Sequence, residues 1–247
     1  MTDRPVLAVR DGREFLLEPG ETLETDLGVL ELPADVETGT TVETHLGEPF
    51  EVRRLRGPEL FDHLERTGAP MMPRDIGLVV GHTGVASGER VLDAGTGTGV
   101  LAAYLGRLGA EVTTYERDAD FADVARENMR LAGVDDRVEV RTGDLLDAVD
   151  DLGGFDVVTL DTADAAAVVE RAPDLLASGG HVAAYTPFVE TARDCVEAAR
   201  DAELSAVECV ETIQRELEVD DRGSRPATAG VGHTGYLTFA RLTPRLG

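Results

Sequence analysis

The segment Val91-Leu-Asp-Ala-Gly-Thr-Gly-Thr-Gly-Val100 constrains the fold of this chain more than any other. Val91 and Leu92 read as the end of an apolar strand, with Asp93 at its carboxyl end. Gly95, Gly97 and Gly99 make a turn, and Val100-Leu-Ala-Ala-Tyr-Leu105 opens an amphipathic helix. Glycines at alternate positions let the backbone turn sharply and approach a ligand where any Cβ would collide. The next strand ends on Glu116. A carboxylate about 20 positions after a glycine turn suits the two hydroxyls of a ribose. The spacing is G-x-G-x-G, not the G-x-G-x-x-G of dinucleotide enzymes, so the turn has room for a nucleoside without a pyrophosphate on the helix N-terminus. That favours S-adenosylmethionine over NAD. A ligand-free βα turn is the bland alternative, and the joint occurrence of Asp93, the glycines and Glu116 argues against it.

From residue 90 onward, strands (90–94, 111–116, 137–141, 155–160, 180–186) alternate with helices (99–108, 118–132, 164–176, 188–202). This predicts an α/β fold, a Rossmann-like, mostly parallel sheet with helices on both faces. Ligands of such sheets bind beyond the carboxyl ends of the strands. Asp93, Glu116, Asp144 and Asp161 all fall at that rim. Any one could be a helix cap, but four at one rim point to a site. The alternation then breaks. Segments 206–219 and 235–241 are predicted to form a long antiparallel C-terminal hairpin around a loop, 220–233, carrying Arg222, Arg225, Pro226 and His233. A loop of that length is often functional.

Residues 1–66 read as a small β-rich N-terminal domain, and 67–247 as the second domain. Val6-Leu-Ala-Val-Arg10 and Glu14-Phe-Leu-Leu-Glu18 flank an Asp11-Gly12 turn, a hairpin signal. Further strands are expected at 28–32 and 50–56, the latter carrying Arg53, Arg54 and Arg56, either a solvated strand edge or an RNA-phosphate contact. A short helix is expected at 58–65, and another at 76–80 with Asp75 as its N-cap and His82, a structural residue, just beyond it.

All 23 basic residues are arginines, against 48 acidic residues spread along the chain, for a net charge of −25. Periodic Val, Leu and Ala exclude an acidic disordered chain. The simplest account is a folded, salt-adapted (halophilic) protein with a hydrated carboxylate surface. The charge does not exclude nucleic acid, because counterion release is weak in concentrated salt and arginine forks pair bidentately with phosphate. No apolar run is long enough to span a membrane. The amino-terminal Met-Thr-Asp-Arg-Pro5 carries no signal-peptide h-region, so a cytoplasmic protein is expected. Cys195 and Cys209 form neither a metal motif nor a disulfide framework.

Several further segments resemble the tRNA (adenine-N1)-methyltransferases that modify the T-loop, in their archaeal form, over nearly the whole length. Thr25-Asp-Leu-Gly-Val-Leu30 is similar to an N-terminal motif of that family, and Met72-Pro-Arg-Asp75 to its aromatic-or-His-Pro-Lys-Asp element. Gly95-Thr-Gly-Thr-Gly99 and Tyr115-Glu116 are cofactor motifs shared by many methyltransferases. Arg225-Pro226, His233-Thr-Gly-Tyr236 and Phe239-Ala-Arg241 are the specific part. Two departures stand out. Asp161-Thr162-Ala163 replaces the family's Asp-Leu-Pro, and Met72 stands where the family has Tyr or His near the target base.

The resemblance implies a homotetramer, without a metal, that methylates tRNA adenine 58, and 57 in archaeal members. It implies Asp161 as the catalytic carboxylate. Asp93, Gly95, Thr96, Gly97, Thr98, Gly99, Glu116 and Asp144 would hold S-adenosylmethionine, and Met72, Arg74, Arg225 and His233 would face the substrate. The rivals are a methyltransferase of the same fold acting on protein isoaspartate or a corrin-type small molecule, an inactive tRNA-binding scaffold, and, more distantly, an NAD-dependent dehydrogenase.

Overall fold

The computed structural model describes residues 4–230 and 232–243. Met1–Asp3, within the stretch read as lacking a signal peptide, and Val231, within the 220–233 loop, lie outside the described residues.

The chain opens with strands β1 (Val6–Arg10), β2 (Arg13–Leu17), β3 (Thr22–Thr25), β4 (Gly28–Glu31), β5 (Thr41–Glu43) and β6 (Pro49–Arg54). The predicted hairpin is there, with Val6 opposite Leu17 and Arg10 opposite Arg13 across Asp11 and Gly12, both at positive φ. Strands β2-β1-β6-β5 form one antiparallel sheet, and β3-β4 is a separate hairpin. Alternation sorts β1 onto two cores. Val6 and Ala8 pack with Phe50 and Val52. Leu7 and Val9 pack the other way, with Leu60, Leu64, Ile76 and Leu105.

Helices α1 (Gly57–His63) and α2 (Pro73–Thr83) connect to the main sheet. Helix α2 starts three residues earlier than expected. Pro73 occupies its first turn, where a missing N–H costs nothing, so Asp75 is a buried residue inside the helix and not its cap. His82 lies in the last helical turn, stacked 4.3 Å from the Phe239 ring with Nδ1 2.7 Å from Glu208. It is a packing residue, as expected.

The remaining elements are β7 (Arg90–Ala94), α3 (Val100–Arg107), β8 (Glu111–Glu116), α4 (Ala119–Ala132), β9 (Val138–Thr142), α5 (Leu145–Ala148), β10 (Phe155–Leu160), α6 (Ala165–Glu170), α7 (Ala172–Leu175), β11 (Leu176–Thr186), α8 (Val189–Asp201), β12 (Ser205–Glu211), β13 (Leu217–Asp220), β14 (Gly223–Pro226) and β15 (Tyr236–Arg241). The main sheet has the order β12-β15-β11-β10-β7-β8-β9. Its five strands from β9 to β11 are parallel, while β15 runs antiparallel between β11 and β12. The connections leave β7 toward β8 on one side and return beside it through β10, so the order reverses there. A cleft opens at such a switch point. Among the described residues, no helix is long and apolar enough to cross a membrane.

Two expectations need correction. The helix predicted at 164–176 is two short helices, because Pro173 cannot sit in a helix interior and instead opens α7. The long strand predicted at 206–219 stops at Glu211, where its partner β15 is exhausted with Tyr236 opposite Glu211. Beyond it, Leu217–Asp220 pairs with Gly223–Pro226 as a separate hairpin, with Asp220 Oδ1 accepting from the Arg222 amide at 2.8 Å. The 220–233 segment therefore has structure of its own.

Asn128 in α4, completely buried, joins the connector to the glycine turn. Its Oδ1 accepts from the Glu65 amide at 3.0 Å, and its Nδ2 donates to the carbonyls of Glu65 and Thr98, both at 2.8 Å. Asn128→Ala should lower stability by about 1–3 kcal/mol, the cost of leaving buried backbone groups unpaired. The change in denaturation midpoint at constant m-value measures it.

Candidate active site

The site grows from the tip of β7. Gly95 has φ of 87°, and a Cβ there would lie 2.0 Å from the Asp161 carbonyl oxygen. Only glycine lets these two strand tips meet, and the Asp161 amide donates to the Ala94 carbonyl at 2.8 Å to close the seam. Gly97, at φ of 51°, has no atom within 3.4 Å of the space a Cβ would take, so its face is open. Its amide donates to Glu116 Oε2 at 2.9 Å, while Glu116 Oε1 accepts from the Asp118 amide at 3.1 Å. Each oxygen keeps acceptor capacity directed at the cleft.

A cavity of about 340 Å³ lies over this turn, lined by Gly95, Gly97, Glu116, Arg117, Asp144 and Asp161 among others. Asp144 caps α5 through the Leu146 amide at 2.9 Å. Arg117 spans the mouth, 3.5 Å from Asp144 and 2.8 Å from Asp164. Beside the cavity is a recess of about 40 Å³, where Asp161, Gly95 and Gly97 meet Asp93, Thr96 and Met71.

Asp93 is buried under the turn. At one level of three adjacent strands stand Thr159, Asp93 and Thr114. Thr159 Oγ1 donates to Asp93 Oδ1 and Thr114 Oγ1 to Oδ2, each at 2.5 Å. Thr114 is itself 2.5 Å from Thr96 Oγ1, and since its own proton goes to Asp93, Thr96 is the donor. The four side chains bolt the glycine turn to the sheet. Burial raises the Asp93 pKa, the two threonine hydroxyls lower it, and the charge of Glu116 adds to the rise. Asp161 sits above, pushed up to about 7 by burial first and by the Asp93 carboxylate second. Thr114 and Thr159 carry no motif signature, so reading the sequence missed them. Only the strand register aligns them with Asp93.

The carboxyl-terminal segment is tied to the start of α2. Thr234 Oγ1 donates to Asp75 Oδ2 at 2.9 Å and accepts from Arg74 Nη2 at 3.1 Å. The Tyr185 hydroxyl donates to the Thr234 carbonyl at 2.6 Å. Burial raises the pKa of Asp75, and Tyr185 is raised by burial and by the Asp161 and Asp75 carboxylates.

The expected substrate residues are therefore placed differently from one another. Arg74 belongs to this hydrogen-bonded set and lines neither the cavity nor the recess. Met72 occupies the N-cap position of α2, and its neighbour Met71 lines the recess instead. His233 is an exposed clamp, with Nε2 3.0 Å from the Pro187 carbonyl and Nδ1 2.7 Å from Glu211. These two partners raise its pKa. Arg225 is paired with Glu218 at 2.7 Å within the β13–β14 hairpin and does not line the cavity. Thr98 is buried, accepting from the Thr67 amide at 3.3 Å, with Thr67 on the cavity wall. Among the described residues no cluster of three His, Cys, Asp or Glu side chains could hold a metal ion.

The family model described as "tRNA methyltransferase complex GCD14 subunit" matches residues 57–224. The chain is also 33% identical to the tRNA (adenine(57)-N(1)/adenine(58)-N(1))-methyltransferase TrmI of Methanocaldococcus jannaschii, over 94% of this chain and 93% of that protein. The chain belongs to the TrmI/GCD14 family of tRNA (adenine-N1)-methyltransferases. Solved structures carry the same fold. An S-adenosylmethionine-dependent O-methyltransferase from Thermotoga maritima superposes with a TM-score of 0.82 at 24% identity, covering 100% of this chain and 96% of that one. The tRNA (m1A58) methyltransferase TrmI from Aquifex aeolicus gives 0.75 at 25% identity, covering 97% and 96%. The family match spans the α1–α2 connector and the glycine turn and runs to residue 224, within the β13–β14 hairpin.

Asp161 gives the fold a pH signature. Its pKa is raised from 3.8 to about 7, so the stability it contributes is full below the ordinary value and is lost as pH rises through about 7. Asp161→Asn should therefore gain thermal stability over the wild type at pH 8, with the gain shrinking toward pH 4. Melting temperatures across that range measure it, and a constant difference would contradict the assignment.

Proposed function

We propose that the protein transfers a methyl group from S-adenosylmethionine to N1 of an adenine in the tRNA T-loop, at position 58 and, like its Methanocaldococcus relative, at 57. The observation that carries this is the placement of Asp161: a carboxylate at the rim of a 340 Å³ cavity, across the glycine turn from Glu116 and Asp144.

The cofactor fits the residues present. The open face of Gly97 gives a cradle that a side chain would fill, Glu116 is placed for the ribose hydroxyls, Asp144 for the adenine amine, and Gly95 and Gly97 for the methionine end. Asp93, Thr96 and Thr98 act beneath, holding the turn's shape. Bound there, S-adenosylmethionine supplies an electrophilic methyl on a sulfonium. Adenine N1 is nucleophilic through its own lone pair, so no strong base is required of the protein. Transfer of that methyl to N1 would leave the ring cationic. Asp161, ionised, accepts a hydrogen bond from the exocyclic amine and stabilises that charge. Arg74, Thr234 and Tyr185, a hydrogen-bonded set whose Tyr185 feels the Asp161 charge, keep the base in line, and alignment supplies most of the acceleration. N1 is normally hidden by pairing, so the nucleotide must be splayed into the pocket.

The same reading includes a β-rich domain over 1–66 docked on a catalytic domain over 67–247, supported by the core that Leu7 and Val9 share with Leu60 and Leu105. It also includes a homotetramer acting on tRNA in the cytoplasm, and an acidic, lysine-free surface adapted to salt.

Asp161→Ala should leave cofactor affinity nearly intact and lower methylation by roughly a hundredfold or more. Labelled cofactor, unmodified tRNA and mapping of N1-methyladenosine test it. Equal loss of binding and turnover would refute the role. In the wild type, kcat/KM should rise with pH to a plateau above about 7, as Asp161 ionises in the free enzyme. Glu116→Ala should weaken cofactor binding by about 1–3 kcal/mol, read by calorimetric titration.

A further inference from the structure

We propose that Arg4, Arg54 and Arg107 form a binding site for the RNA sugar-phosphate backbone, at the seam between the N-terminal sheet and α3. The inference rests on the tRNA reading above and adds where the substrate is gripped away from the chemistry.

The first observation is what these arginines lack. On this surface guanidinium groups usually meet carboxylates, as Arg13 meets Asp26, Arg130 meets Glu18 and Glu127, and Arg141 meets Glu139. Arg53, beside Arg54, is paired with Glu51. Among the described residues, Arg4, Arg54 and Arg107 make no such ion pair, in a chain with 48 acids.

The second observation is that the fold gathers them. Arg54 ends β6 opposite Val6, and Arg4 lies two residues before Val6, so both stand at one end of the β1–β6 pair. Arg107 ends α3, and its Nη2 donates to the carbonyl of Leu55, the residue after Arg54, at 2.7 Å. The Arg4 guanidinium lies over Gly133, where a Cβ would be 2.8 Å from its Nε, at the carboxyl-terminal cap of α4. Arg107 feels the other two. Burial first, then Arg54 and Arg4, holds Arg107 below its usual range, with Glu59 and Tyr104 acting the other way. Glu59 is already engaged by the Arg56 amide at 3.1 Å.

Like charges brought together without an ion-pair partner among the described residues call for an anion. Arg107 has one donor committed to Leu55 and four left, in a fixed fork that suits phosphate oxygens. Three heads from three separate stretches of the chain match a row of spaced phosphates better than one small ion. Helix α3 carries Arg107 about 12 Å from the glycine turn, at 1.5 Å per residue. Such contacts position RNA and take no part in methyl transfer.

The experiment compares the full-length wild type with Arg54→Gln, Arg107→Gln and the double variant Arg4→Gln/Arg54→Gln. Each is titrated with an unmodified tRNA transcript across a salt series and then assayed for methylation. The double variant should reduce the slope of log K against log salt by about 1–2, because each lost phosphate contact removes close to one released counterion. KM for tRNA should rise severalfold, with kcat and cofactor affinity within about twofold. Arg193→Gln, an exposed residue facing Glu197, should change none of these. Arg4 and Arg54 make no hydrogen bond or ion pair to another element among the described residues, so the result stands even if Arg107→Gln disturbs the seam. A folded double variant with unchanged slope and KM would overturn the proposal while leaving the wild-type activity in place. So would unchanged tRNA binding with an altered sedimentation profile, which would assign the cluster to a contact with a second copy. A wild type that neither binds nor methylates tRNA would remove the functional reading itself, and the proposal with it.

Discussion

A carboxylate without water has to be held by donors, and the fold is tied around Asp93 for that reason. Thr159 and Thr114, on the strands to either side, each give it a hydroxyl, and Thr96 extends the chain of donors into the glycine turn. An unmade hydrogen bond to a buried charge is expensive. The three strand tips are thereby fixed relative to one another, and so is the turn that lies on them. Asp161 inherits its position from this arrangement, since its backbone packs against Gly95 with no space for a side chain between them. It also inherits part of its acid–base character, because the Asp93 charge adds to burial in raising its pKa.

The second organising device is the return of the chain's end to the site. Strand β15 inserts antiparallel between β11 and β12, which brings Thr234 against Asp75 and Arg74 at the start of α2. Two stretches about 160 residues apart in the chain thus join in one set of bonds. The motif Met72-Pro-Arg-Asp75 and the ending His233-Thr-Gly-Tyr236 look unrelated in the sequence. They are partners in one hydrogen-bond set. His233 clamps this segment to Pro187 and Glu211 from outside.

Much of this was legible beforehand. The parallel sheet, the glycine turn and the acids Glu116, Asp144 and Asp161 at its rim follow from local patterns, because strands, turns and helix starts are dictated by neighbours within a few residues. The Asp11-Gly12 hairpin was equally local. Asp75 looked like a cap because Asp favours caps, but Pro73 had already set the helix start. Residues 206–219 looked like one strand because alternation continues through them, but a strand ends where its partner ends. Pro173 was a local signal that was overlooked, and it divides a helix in two.

The amino-acid sequence alone determined the class of fold, the nucleoside-sized turn and the carboxylates around it. These depend on backbone freedom at glycine, on side-chain periodicity and on short spacings, all of which one strand or helix contains. The tertiary structure alone decided which polar side chains share a charge and which stand without a partner. Thr159, Asp93 and Thr114 meet because three strands pair in one register, Asn128 because a helix packs under a connector, and Arg4, Arg54 and Arg107 because a sheet end and a helix end converge. Electrostatic and hydrogen-bond energies depend on distance in space, and no reading of positions along the chain contains that distance.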